Sequence, residues 1–250
     1  DGASLDGVAL GRIELDGTWL KARAADGRRQ RKRDFEGADL AGVLDDGTPI
    51  PLRIDAIHPN EGPGGRDAHA YEVSFRTDEG WDPFCGTDAD GAPVRAVPLL
   101  GSWDYREGVP GGGAHARDPG AITFACEGFV LAKCVGAGYR PWAKERGVSL
   151  APYHEACTRL LRADYCGDGT SYTQDGVTIN IYDALGIQRD TERWSLEAEW
   201  TPDGASCVAH SREGALPACA ASRVTRDCGS RWHFLSGPTL IMSEDRVTRR

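Results

Sequence analysis

Asp1-Gly2-Ala3-Ser4-Leu5-Asp6-Gly7-Val8-Ala9-Leu10-Gly11-Arg12-Ile13-Glu14-Leu15-Asp16-Gly17-Thr18-Trp19-Leu20 opens the chain, with leucine at every fifth position. Leu5, Leu10, Leu15 and Leu20 set this register, and Phe35 and Leu40 rejoin it. Glycine keeps a second track two residues on, at Gly2, Gly7, Gly17, Gly27, Gly37, Gly42 and Gly47. A period of five fits neither the roughly 3.6 of an α-helix nor the 2 of a flat strand. It predicts a short pentapeptide-type β-helix of square section. Its inward residues are Leu5, Leu10, Leu15, Leu20, Phe35 and Leu40, and glycines sit near its corners.

The register fails in the middle. Arg23, Arg28 and Arg33 occupy slots that hold Ala3, Val8, Ala38 and Val43 in good pentads. Arginine does not suit a narrow core, so residues 21–34 are expected to loop out. The coil starts in register at Asp1 with no cap, and a bare coil end offers unpaired backbone groups. Self-association or a surface partner is expected there. The layout is then a β-helical segment at 1–47, a disulfide-rich domain at 48–242 and a charged tail at 243–250. The fold class is α+β and β-rich.

At 250 residues the chain can bury a sizeable core, and its net charge of −9 argues against nucleic acid as the main partner. The exception is a run in which Arg28, Arg29, Arg31, Lys32 and Arg33 are candidates for binding anionic polysaccharide or lipid head groups. A solvated loop is the plainer reading of such a run. Eight cysteines stand at Cys85, Cys126, Cys134, Cys157, Cys166, Cys207, Cys219 and Cys228, with no Cys-x-x-Cys pair. That removes support for zinc ribbons and thioredoxin-type motifs. An even count predicts four disulfides and an oxidising location: outside the cell, at its surface or in the periplasm. Pairing is not readable from spacing. No apolar run approaches the ~20 residues of a membrane-spanning helix.

Beyond the repeat, alternation predicts strands at about 50–57, 71–76, 81–85, 94–99, 121–125 and 194–200. Loops are expected at 59–65 and around the glycine-rich stretch 109–113, which lacks the Lys-Ser/Thr ending of a phosphate loop. Helices are expected at about 127–136 and, more strongly, 149–163. The second has Ser149 as N-cap and a stripe of Leu150, Tyr153, Ala156, Cys157, Leu160 and Leu161.

Chemistry is sparse. Asp164, Asp168, Gly169 and Asp175 fall on the first, fifth, sixth and twelfth places of a calcium loop, but Cys166 takes the third. Asp164, Asp168 and Asp175 are therefore weak metal candidates, calcium is the one cofactor worth naming, and a disulfide-pinned turn is the better reading. His154-Glu155 is followed by Thr158, which breaks the two-histidine zinc-protease motif. No Gly-x-Ser-x-Gly elbow exists. No catalytic residue is assigned. The expected function is a non-enzymatic structural or adhesive surface protein, self-assembling through the coil end. The rivals are a secreted hydrolase near His154 and Asp164, and a polysaccharide-binding module using tryptophan faces or the arginine run.

Five motifs occur in order: Phe124-Ala125-Cys126, Leu131-Ala132-Lys133-Cys134-Val135, Gly138-Tyr139-Arg140-Pro141-Trp142, Ala156-Cys157-Thr158-Arg159 and Ala163-Asp164-Tyr165-Cys166-Gly167-Asp168-Gly169. Over residues 48 to 230 or so the chain resembles the ADYC domain family. The resemblance implies a bacterial, exported protein with disulfides and a two-part layout, in which leucine–glycine pentads precede the domain. It implies no activity and no catalytic residues. The arginine-rich insert departs from plainer pentad runs.

Overall fold

Asp-Gly pairs at 6–7, 16–17, 26–27 and 46–47 decide how the first fifty residues fold. In a computed structural model describing residues 3–44, 46–59, 68–104, 113–224, 228–230 and 238–246, this stretch is a succession of hairpins. Ser4–Leu5 (β1) pairs with Val8–Ala9 (β2) across Asp6 and Gly7, both left-handed at φ 51° and 75°. That is the backbone a two-residue hairpin turn demands. Glu14–Asp16 (β3) pairs with Trp19–Arg23 (β4) across Gly17 and Thr18, and β4 pairs with Arg29–Arg31 (β5) across a loop containing Gly27. A 3₁₀ turn at Lys32–Phe35 leads to Asp39–Val43 (β6), which pairs with Pro49–Pro59 (β7).

The expected square β-helix is therefore replaced by antiparallel hairpins. The physical reason lies in the register. Leu15 and Leu20 are direct cross-strand partners over a two-residue turn, so a spacing of five puts them on one face without any coil. The expected loop at 21–34 is corrected too, because it holds the end of β4, all of β5 and most of the 3₁₀ turn. The expected boundary at residue 47 falls within the hairpin joining β6 to β7.

The chain divides into two compact units, 1–102 with 116–133, and 103–115 with 134–250. In the first, β7 runs on to His69–Arg76 (β8), Trp81–Pro83 (β9) and Ala96–Leu100 (β10). Short strands Ser102–Trp103 (β11) and His115–Ala116 (β12) mark two of the chain's crossings between units, and Ile122–Cys126 (β13) completes the first. Eight of these strands form one sheet in the order β13-β10-β8-β7-β6-β1-β2, with β9 beside β8. β3, β4 and β5 form a separate meander. Leu10, Leu20, Phe35, Leu52, Ile54, Ile57, Tyr71 and Val73 are buried in one core, against which Leu5, Leu15 and Leu40 pack half-buried.

The second unit begins its regular structure with Val130–Gly136 (α1), whose latter half belongs to it. Lys144–Glu145 (β14) and Val148–Ser149 (β15) form a small hairpin ahead of Ala151–Arg162 (α2). Pro152 suits the first turn of α2, and Leu150, not Ser149, is its N-cap. Ile179–Asp183 (β16), Ser195–Thr201 (β17), Gly204–Val208 (β18) and Ile241–Asp245 (β19) make an antiparallel sheet in the order β16-β19-β17-β18. A one-turn helix at Ala218–Ala221 (α3) follows β18. Tyr153, Ala156, Cys157 and Leu160 of α2 share a core with Trp200 and Ile241. The expected strands and both expected helices are present with shifted ends. The expected loops at 59–65 and 109–113 lie outside the described residues except at Pro59 and Gly113. The charged tail expected at 243–250 is corrected in its first part, since Ser243, Glu244 and Asp245 are buried in β19, while residues 247–250 lie outside the described ones.

All eight cysteines are paired: Cys85–Cys126 in the first unit, and Cys134–Cys157, Cys166–Cys219 and Cys207–Cys228 in the second. No described helix is long and apolar enough to cross a membrane.

Candidate functional site

The meander β3-β4-β5 concentrates positive charge on one face. Trp19-Leu20-Lys21-Ala22-Arg23 alternates, so Leu20 is buried while Lys21 and Arg23 face out. Pairing with β5 places Lys21 directly opposite Arg31 and Arg23 directly opposite Arg29. Direct partners share a face with Cβ atoms about 5 Å apart, and like charges there are destabilising. The result is a two-by-two block of cations that the sheet tolerates at a cost. Asp16 forms an ion pair with Lys21, and the Arg23 guanidinium donates to the carbonyl of Gly27 at 3.3 Å. Among the described residues no carboxylate pairs with Arg29, Arg31, Lys32 or Arg33 within 4.0 Å.

An open recess of about 490 Å³ adjoins this face, lined by Trp19, Arg31, Lys32, Arg33 and Asp34. Lys32 holds a left-handed backbone at φ 60°, a conformation that costs a residue with a Cβ roughly 1–2 kcal/mol. Its ammonium stands 5.3 Å from the centre of the Trp19 ring, a cation–π distance. The Asp34 carboxylate accepts from the Arg31 backbone N–H at 3.0 Å and fixes the turn. Trp19 also stacks at a tilt on His69, ring centres 3.5 Å apart. Arginine forks and an ammonium beside an indole suit an anionic ligand with flat or ring-shaped parts.

Of the predicted basic residues, Arg29, Arg31, Lys32 and Arg33 thus line the block or the recess. Arg28 is apart from them, bonded to Asp26 at 2.7 Å. Lys21 and Arg23 were not among the predicted binding residues. The signal that finds them is the alternation of β4, which a five-residue reading conceals.

The three acidic calcium candidates are arranged otherwise. Both oxygens of Asp164 are occupied: Arg159 donates at 2.6 Å, and the amides of Gly167, Asp168 and Gly169 donate at 2.8, 3.1 and 2.9 Å. That is a carboxylate acting as the keystone of a turn, with N–H groups where a cation would need oxygens. Asp168 and Asp175 are exposed, and Asp168 accepts from the Thr170 amide. Ala163 before them is left-handed at φ 50° and caps α2. Tyr165 donates to Glu197 at 2.6 Å, and Cys166 pairs with Cys219. Each residue of Ala163–Cys166 therefore anchors the turn after α2.

Glu197 is fully buried, and it also accepts from Arg212 at 2.9 Å and Ser243 at 2.8 Å. Burial pushes the Tyr165 phenol up, and the charge on Glu197 pushes it further. A second buried carboxylate, Glu199, lies beside Cys207 and Cys228, all with ligand atoms within 4.8 Å. Those two sulfurs are joined as a disulfide, which leaves no thiolate for a metal.

His154 is wholly buried, edge-on to Trp103 with ring centres 5.1 Å apart. His115 stacks on the same indole at 4.2 Å and meets the Glu155 carboxylate at 3.1 Å. The hydrolase expected around His154 and Asp164 would need both side chains to reach substrate, and both are sealed in the interior.

Residues 32–214 match the ADYC domain family. No curated protein and no solved structure matches the chain. The match spans well over half of the sequence, and the chain belongs to the ADYC domain family.

Proposed function

We propose that this ADYC-domain protein binds acidic polysaccharide through the basic face of its meander and serves as an exported adhesive module. One observation carries the reading: Lys21 opposite Arg31 and Arg23 opposite Arg29. A fold that needed only a hairpin there would alternate charges across the strands. On a chain of net charge −9, four cations gathered on one small face answer to a ligand. Four disulfides fit an oxidising setting, where polyanions are glycans more often than nucleic acids. The self-association expected from a bare coil end loses its basis, because hairpins take the place of the coil.

Retention on immobilised acidic polysaccharide, with neutral dextran as control, tests this. The native protein should be held on the acidic matrix and released by salt. The triple variant Lys21→Gln/Arg29→Gln/Arg31→Gln should bind about tenfold more weakly or worse, given the strength of charge-assisted contacts. It should melt no lower than the parent, since it relieves repulsion between paired strands. Undiminished retention by the triple variant overturns the reading.

A further inference from the structure

The first unit contains a second feature that the basic face does not use. Leu40 of β6 and Leu52 of β7 line the same cavity as Ile122 and Phe124 of β13. In the sheet order these strands lie at opposite sides, separated by β8 and β10. The sheet must therefore curl until its two flanks face each other. Leu10, ahead of the meander, and Leu20, in its strand β4, also line the cavity. The cavity holds about 480 Å³, within the size range of small-molecule sites and in the place where barrel-like sheets hold ligands.

Its chemistry is one-sided. Seven aliphatic or aromatic side chains larger than alanine form the wall, Gly11, Gly42 and Gly120 complete the lining, and one cation, Arg12, stands at the rim. Arg12 is exposed and donates one N–H to the Pro119 carbonyl at 2.7 Å. That bond orients the guanidinium and leaves its other donors available. A Cβ at Gly42 would meet the Leu52 side chain at 2.8 Å, so β6 and β7 pack closely at this part of the lining.

We propose that this cavity binds the hydrocarbon tail of an anionic amphiphile, with Arg12 pairing to its carboxylate. Charge complementarity selects this occupant over a neutral apolar one: a single exposed cation stands at the mouth of a greasy slot. The site is separate from the basic face, since Leu20 points into the core while its neighbours Trp19 and Lys21 point out. The proposal therefore stands whether or not polysaccharide binds.

Fluorescence of dansyl-labelled undecanoic acid with the intact protein is the assay. Saturable, blue-shifted emission displaced by dodecanoate is expected. Arg12→Gln, a surface change, should weaken dodecanoate about tenfold and leave displacement by dodecanol unaltered. Ala3→Phe, which narrows the cavity, should weaken both competitors, with retained melting behaviour as the check on folding. Lys21→Gln/Arg31→Gln, at the separate basic face, should leave displacement by both dodecanoate and dodecanol as in the parent. Absence of saturable binding overturns the proposal. Equal loss of dodecanoate and dodecanol in Arg12→Gln, or loss of binding in the Lys21/Arg31 variant, overturns it as well.

Discussion

Leu20 and Glu197 are each wholly buried, one in each unit, for opposite reasons. Leu20 sits among leucines, isoleucines and aromatic rings, in a unit of hairpins with a single disulfide. Burying it removes apolar surface from water and needs no partner of matching chemistry. Glu197 is charged, and it is tolerated because Tyr165, Arg212 and Ser243 surround its oxygens. Its unit also holds three disulfides and the Asp164 turn. The first unit is specified by pattern and turn geometry, which tolerate substitution in small steps. The second is specified by partners that must all be present, and it should fail abruptly when one is removed.

The largest effect follows from this difference. Glu197→Gln leaves the Arg212 guanidinium buried without its carboxylate, and breaking such a pair costs about 3–5 kcal/mol. Denaturant unfolding followed by hydrogen exchange should show the loss confined to residues 134–224, with β6 to β8 protected as before. Restoring much of the stability with Glu197→Gln/Arg212→Met would show that the cost is the orphaned charge. A cost below 1 kcal/mol would erase the contrast between the units.

Removal of disulfides comes next. Replacing Cys134 and Cys157 by alanine unties α1 from α2, and loss of such a link costs about 2–5 kcal/mol. The same change at Cys85 and Cys126 acts on a unit with an ample apolar core. It should lower that unit's melting while leaving it folded at room temperature. If the first unit unfolds and the second survives, the contrast is inverted.

Alkali should separate the units by a third route. Burial raises the phenols of Tyr139, Tyr165 and Tyr182 in the second unit, with Asp183, Glu197 and Glu244 respectively adding to the shift. The first unit has one comparable phenol, Tyr71, raised by burial alone. An unfolded tyrosine titrates near 10. A folded phenol held above that value stabilises the native state fully below pH about 10, and this stability is lost as pH rises further. Tyr153 is raised as well, by burial and by Asp183, and four such groups against one make the second unit the first to unfold. Tyrosinate absorbance should rise there together with loss of far-ultraviolet circular dichroism. Independent titration of every tyrosine near pH 10 in a still-folded protein would refute it.

Much of the second unit was legible residue by residue. The stripe on α2 comes from local periodicity, and the structure has it. In β17 the strand is present without the alternation, because Glu197 and Glu199 are as buried as Ala198 and Trp200. The first unit misled because one spacing has two geometric meanings. Five residues separate neighbouring sides of a square coil, and five also separate Leu15 from Leu20 across a tight turn. The deciding signal was the residue type at the turn: Asp-Gly stands at 6–7, 16–17, 26–27 and 46–47, and that is a hairpin signature. The basic face was half visible, since a charge run is local but its opposite partners Lys21 and Arg23 depend on register. The apolar cavity was invisible, because it forms only when a long sheet brings Leu40 and Phe124 to one space.

The smallest effect tests those turns directly. Gly27 has a left-handed φ of 88°, and a Cβ there meets nothing within 4 Å. Gly27→Ala should therefore cost only the conformational penalty, about 1 kcal/mol. Substitution by D-alanine through chemical synthesis should cost nothing, because the mirror residue prefers this backbone. The neighbouring Asp26 carboxylate is held below its usual range by bonds from the Arg28 backbone and side chain. A lowered carboxylate stabilises the folded state above its unfolded value and ceases to as pH falls through the folded one. Asp26→Asn should lower this hairpin's exchange protection slightly at neutral pH and flatten its acid limb, so that variant and parent converge in acid. If the turn is the device that replaces the coil, D-alanine and glycine will behave alike and L-alanine will not. Equal losses for both enantiomers would mean that contacts, and not backbone handedness, hold the hairpin.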